Sequence, residues 1–264
     1  MLKTTKTKRI VTKIGDIFCV ELDNNAKGFF QFIAIDSTCM NSSVVRVFMK
    51  HYPIDKEVSI EDVVSDKVDF YTHTILRAGI DNNIWYKVGK SQDVGENDMH
   101  KVYFGLAHEF KHENFKLIPV DPMNNWNIWQ INACHIFVGS LPERLYGHVE
   151  DGSVMPFHLI KARMISGYYP VSLKIYSVSK RTPRPEYKSY IKDTSDGKDI
   201  YICFQGDYFE KAVFPIEGKL TKISRDEAVS NNMEIISKKF SDTNWKTQNF
   251  ITEDEFNKAW DSTE

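Results

Sequence analysis

The feature that most constrains this chain is a pair of apolar runs separated by a polar turn, close to its start. Residues Ile14-Gly15-Asp16-Ile17-Phe18-Cys19-Val20-Glu21-Leu22 are rich in β-branched and aromatic side chains. Asp23-Asn24-Asn25-Ala26-Lys27-Gly28 then supply turn chemistry, and Phe29-Phe30-Gln31-Phe32-Ile33-Ala34-Ile35 form the second run. Extended runs around an Asx/Gly turn read as a β-hairpin. The turn is longer than the tightest two-residue type, so an irregular tip is expected.

Similar signals continue along the chain. Val44–Met49 reads as a third strand, and Ser59-Ile60-Glu61-Asp62 as the start of a short helix ending near Val64, with serine at the cap and acids in the first turn. Phe70–Leu76 and Ile84–Val88 return to strand composition around the turn Asp81-Asn82-Asn83. A middle region rich in Trp and Pro favours short strands. Phe157–Ile165 has helical spacing, with Pro156 before it and Gly167 as its stop. Asp199–Phe204 and Tyr208–Ile216 predict another strand pair, followed by a helix from Arg225 and a C-terminal helix capped by Thr252 with Glu255 three residues on. The expected fold is α+β and predominantly β: an antiparallel sheet or small barrel core with a few short helices. The expected organisation is a β-rich domain over 1–178, a basic linker or mobile loop over 179–198, and a smaller α+β segment over 199–264.

Hydrophobic residues make up 42% of the chain and charged residues 27%, which excludes wholesale disorder. A net charge of -2 creates no overall field that would draw in nucleic acid or an anionic membrane. The Lys-rich start has no apolar run behind it, and no later stretch approaches the roughly 20 apolar residues that span a bilayer. Cys19, Cys39, Cys134 and Cys203 are widely spaced, and Cys19 and Cys203 sit in apolar runs where cysteine packs as a small hydrophobe. These features favour a reducing cytoplasm and no membrane partner.

Several motifs invite chemistry. His108-Glu109-Phe110-Lys111-His112 matches H-E-x-x-H, in which two histidines on one helix face bind zinc and the glutamate activates water. Against it stand Lys111 and Glu113 beside the would-be dication, the short span between Gly105 and Pro119, and the lack of a third ligand in a suitable place. It is kept as an alternative reading, a metal-dependent hydrolase, beside the expectation of no metal and no cofactor. Gly89-Lys90-Ser91 lacks the earlier glycine of a phosphate loop and reads as a plain turn. Cys134-His135 would point to opposite faces of a strand, one in and one out. Lys180, Arg181, Arg184, Lys188, Lys192 and Lys198, with Tyr187 and Tyr190, give a faint nucleic-acid pattern, for which a solvated linker is the preferred account. Trp126, flanked by Asn124, Asn125 and Asn127, is a candidate exposed anchor for a partner.

Two stretches carry a family resemblance. One is the hairpin opening on Lys13-Ile14-Gly15-Asp16-Ile17-Phe18 and closing on Phe32-Ile33-Ala34-Ile35. The other runs from Trp129 through Phe137-Val138-Gly139, Leu141-Pro142 and Asp151-Gly152-Ser153-Val154-Met155-Pro156-Phe157 to Gly167-Tyr168-Tyr169. Together, over about Lys8 to Tyr169, they resemble the immunity protein 26 family of bacterial toxin systems. The resemblance implies a β-rich, non-enzymatic cytoplasmic protein that binds and neutralises a cognate protein toxin of a polymorphic toxin system. It also associates some relatives with organophosphate hydrolysis, but carries no catalytic residue onto this chain.

Overall fold

The computed structural model describes residues 11–22, 25–145, 148–169, 184–195, 197–216, 219–243, 245 and 247–263. They fall into two units: one holds the chain up to Val102 with Gln130–Cys134 and Ser153–Phe157, the other Tyr103–Trp129, His135–Gly152 and the chain from His158.

In the first unit the opening runs pair as a hairpin. Strand β1 (Asp16–Glu21) lies antiparallel to β2 (Ala26–Asp36), with Phe18 opposite Phe30 and Ile17 opposite Gln31. Strand β3 (Ser42–Phe48) extends the sheet from β2, β4 (Tyr52–Pro53) pairs with the start of β2, and helix α1 (Ile60–Val64) follows. The Ser59 side chain accepts from the Asp62 N–H, which is the cap the sequence signals. Strand β5 (Val68–Thr74) pairs with β3; helix α2 (Leu76–Asp81) leads to β6 (Trp85–Lys90) beside β1, and α3 (Glu96–Met99) closes the unit. Val154–Met155, the strand β13, lies parallel to β5. The order β13-β5-β3-β2-β1-β6 is antiparallel except for the β13–β5 pair and, among the described residues, does not close into a barrel. Gly89 and Lys90, expected as a turn, are the end of β6, paired with Ile17 and Asp16.

Alternation along these strands gives the sheet two faces. On one, Phe18 stacks on Phe30 at 5.1 Å and Trp85 meets Phe30 edge-on at 5.0 Å. The Trp85 indole N–H donates to the Leu76 carbonyl, and α2 fits over the ring only because residue 79 is glycine: a Cβ there would lie 2.1 Å from it. On the other face, Ile17, Cys19, Phe29 and Phe48 pack against Val63 of α1.

The second unit contains two four-stranded sheets and a separate hairpin. Strands β7 (Tyr103–Ala107), β10 (Trp126–Trp129), β11 (Ile136–Gly139) and β12 (Val149–Asp151) form one sheet, ordered β11-β10-β7-β12. The two-stranded hairpin is β8 (Phe110–Glu113) with β9 (Lys116–Pro119). Helix α4 (Phe157–Ser166) ends at Gly167 in the left-handed region, where its N–H bonds the Arg163 carbonyl, as the stop signal implies.

The last sheet joins β14 (Lys188–Ser195), β15 (Lys198–Gln205), β16 (Tyr208–Ile216) and β17 (Lys219–Ser224) as a meander. The 179–198 linker is corrected here: Lys188–Ser195 is a paired strand, with Ile191 and Ser189 buried. Its lysines are neutralised across the sheet, Lys188 by Glu210 at 2.7 Å and Lys192 by Asp199 at 2.7 Å. Residues 170–183, which include Lys180 and Arg181, lie outside the described set. The division at Val102 also differs from the expected boundary at 178.

Helices α5 (Arg225–Ser230) and α6 (Glu253–Asp261) each begin with a complete capping box, Ser224 with Glu227 and Thr252 with Glu255. Thr252→Ala is expected to lower stability by about 1 kcal/mol, the usual cost of a lost N-cap. Urea denaturation reads this directly, and an unchanged midpoint would mean the cap is energetically idle.

Candidate functional site

Gly15-Asp16 begins the chemistry of the first unit. Gly15 has φ +94°, and a Cβ there would lie 2.4 Å from the Ser91 carbonyl oxygen, so only glycine fits. Its N–H donates to Phe32 and its carbonyl accepts from Ser91. Asp16 is fully buried; one carboxylate oxygen accepts from the Lys13 N–H and the other meets Lys87 Nζ at 2.7 Å. The motif is thus a backbone junction tying β1, β2 and the 91–95 loop.

The same junction holds two buried polar side chains. Register places Ile17, Gln31, Arg46 and Tyr71 in one row across β1, β2, β3 and β5. The Gln31 amide nitrogen donates to the carbonyls of Gly15 (3.2 Å), Ser91 (3.3 Å) and Asp93 (3.0 Å). Its oxygen accepts from Arg46 Nε at 2.8 Å, while Arg46 Nη2 donates to the Asp93 carbonyl at 2.9 Å. The Asp93 carboxylate lies 3.7 Å from Nη2, and the guanidinium rides over the Phe48 ring at 5.2 Å. Burial pushes the Arg46 pKa down, opposed by Asp93, but a guanidinium stays charged at physiological pH.

Above Arg46 opens a groove of about 500 Å³ whose lining includes Asp66, Tyr71, Asp93, Gly95, Glu96 and Asp98. Gly95 has φ +68°, and a Cβ there would lie 2.3 Å from Arg46 Nη1. Glycine therefore lets the loop pass directly over the guanidinium. The groove offers a fixed N–H donor at its floor and carboxylates at its rim, an arrangement suited to binding polar, cationic groups.

A second polar centre lies at the far end of β2. Asp36 and His73 are both fully buried, with His73 Nε2 3.0 Å from Asp36 Oδ2. Asp36 Oδ1 also accepts from the N–H groups of Cys39 (3.2 Å) and Asn132 (3.3 Å), anchoring the 130–134 segment. Burial lowers the His73 pKa, so the ring is neutral and donates from Nε2. For Asp36, burial opposes the charge, but the hydrogen bonds from His73, Cys39 and Asn132 outweigh it and the pKa is lowered.

The sequence candidates fall elsewhere. His108 follows the end of β7 just before a bend at Glu109, and His112 lies on the exposed strand β8, so no helical turn brings their imidazoles onto one face. The hairpin turns at Asn114 and Phe115, both with positive φ. Among the described residues no cluster of three or more His, Cys, Asp or Glu side chains could hold a metal ion. Trp126, expected as an exposed anchor, is fully buried with Ile128, Leu141 and Val149. Cys134 and His135 are both exposed and precede β11, which corrects the one-in, one-out expectation. Cys19 and Cys203 are buried free thiols, as expected, and burial pushes both pKa values up, Cys203 to about 12. Tyr187 packs edge-on against Tyr168, and the Tyr190 hydroxyl donates to Glu253, so both rings are engaged in the fold. No helix among the described residues is long and apolar enough to cross a membrane.

Sequence reading missed Gln31 and Arg46, although each is a polar residue bracketed by apolar ones in a strand: Phe30-Gln31-Phe32 and Val45-Arg46-Val47.

Residues 13–115 match the model of the family described as Immunity protein 26. The matched stretch contains β1 to β6 and the groove with its Gln31–Arg46 floor, and runs on through the β8 strand. The later stretch from Trp129 to Tyr169 lies beyond it. No curated protein and no solved structure matches the chain.

Proposed function

We propose that this chain is a non-enzymatic immunity-type protein that binds and neutralises a cognate protein toxin in the bacterial cytoplasm. The observation that carries the reading is the match of residues 13–115 to immunity proteins, over the sheet whose polar junction starts at Gly15. A rigid sheet that fixes polar groups under an open groove suits recognition of another protein, because ordering costs are met before binding. The reading predicts a toxin gene beside the coding sequence. Co-expression with that toxin should restore growth, and the two proteins should co-purify. Unrelieved toxicity, with no complex formed, overturns it.

A further inference from the structure

We propose that the groove over Arg46 is the docking site for a basic segment of the partner protein, a proposal that rests on the toxin-binding reading and names its surface. The first observation is charge: Asp66, Asp93, Glu96 and Asp98 line the groove against only Arg46 and Lys67. Glu96 and Asp98 are exposed; among the described residues Asp98 pairs with Lys101, an exposed i,i+3 pair at 3.1 Å that exchanges at little cost. Asp66 is committed to the fold through the Lys50 and Lys67 N–H groups. Asp93 is likewise engaged, its Oδ1 accepting from the Gly95 N–H at 2.8 Å, so the rim carboxylates that can meet incoming lysine or arginine are Glu96 and Asp98.

The second observation is independent of the acids. The Arg46 side chain is only 6% exposed, and its Nε and Nη2 are bonded to Gln31 and Asp93. Nη1 has no hydrogen-bond partner among the described residues and lies against Gly95 in the groove lining. A donor fixed in this way at the groove wall is placed to bond an acceptor that enters from outside. A free anion would suit Nη1 but would be repelled by the acidic rim. A basic polypeptide satisfies both: a main-chain carbonyl accepts from Nη1 while its cationic side chains reach the rim. A metal ion is disfavoured, since no metal-holding carboxylate cluster forms among the described residues.

The test uses the full-length protein, an end-blocked eight-residue peptide alternating arginine and glycine, and the Glu96→Gln/Asp98→Asn variant. Both substituted residues are exposed, so the variant should keep the wild-type melting temperature, which is checked first. Backbone NMR should show saturable shifts centred on residues 93–98. The affinity should fall at least fivefold in the variant and also fall with added NaCl, as screening requires. An alternating glutamate–glycine peptide and inorganic phosphate should not compete. Absence of saturable shifts, shifts mapping elsewhere, equal binding by the variant, or preference for the acidic peptide or phosphate would each overturn the proposal. In cells the variant should protect less well than wild type. Equal protection by both would sink the groove assignment alone. Failure of wild type to protect would sink the toxin-binding reading, leaving the peptide titration to judge the groove.

Discussion

Replacing Asp36 by alanine is expected to remove about 2–4 kcal/mol of folding stability, because it strands buried hydrogen-bond donors that the carboxylate satisfies, at about 1–3 kcal/mol for each donor left unpaired. The carboxylate is fully buried, bonded to His73 at 3.0 Å, and holds the N–H groups of Cys39 and Asn132. Its loss strips His73 of a partner and removes one of the hydrogen bonds that hold the 130–134 segment at the end of β2, where Ser37 and Thr38 also bond Asn132. Asp36→Asn keeps an acceptor for the two N–H groups and should cost much less. The pair also sets a pH response. The His73 pKa is depressed in the folded state, so below its ordinary value of 6.5 the unfolded chain binds more protons. Stability is present above that pH and declines as it falls. Asp36, also depressed, adds a second decline below its ordinary 3.8. Chemical denaturation between pH 7 and 5 should show the first decline, and His73→Asn should flatten it. A flat wild-type profile would mean the histidine is not held neutral.

Gly15→Ala is expected to cost about 2–4 kcal/mol, combining left-handed backbone strain with displacement of a neighbouring main chain. The added Cβ meets the Ser91 carbonyl at 2.4 Å, and the 91–95 loop that carries the groove must shift. Gly197→Ala is the matched control: its φ is +72° and nothing lies within 4 Å, so it bears backbone strain alone. Gly15→Ala should therefore unfold at clearly lower urea concentration than Gly197→Ala. Equal midpoints would mean the junction tolerates a side chain.

What was legible in the sequence was local. The first hairpin, the Ser59 and Thr252 helix starts, the helix from Arg225 and the Gly167 stop are each set by a few adjacent residues, and each is found. What was not legible depended on partners distant in sequence. Lys188–Ser195 reads as a linker because its lysines look solvated, but Glu210 and Asp199 lie across the sheet from them. H-E-x-x-H implies zinc only on a helix, and Asn114 and Phe115 bend this stretch into a hairpin instead. Asparagines around Trp126 suggest exposure, yet strand β10 turns the indole into the core. The groove floor was the recoverable omission. Gln31 and Arg46 stand out as polar residues inside apolar strands, but their common target, the 91–95 loop, emerges only once register aligns them.

The most direct test of the toxin-binding account is a calorimetric titration of the purified chain into the toxin encoded beside it. The account predicts a saturable one-to-one complex with Kd about 1 µM or tighter, corresponding to about -8 kcal/mol. No measurable complex with a folded, active toxin would contradict it.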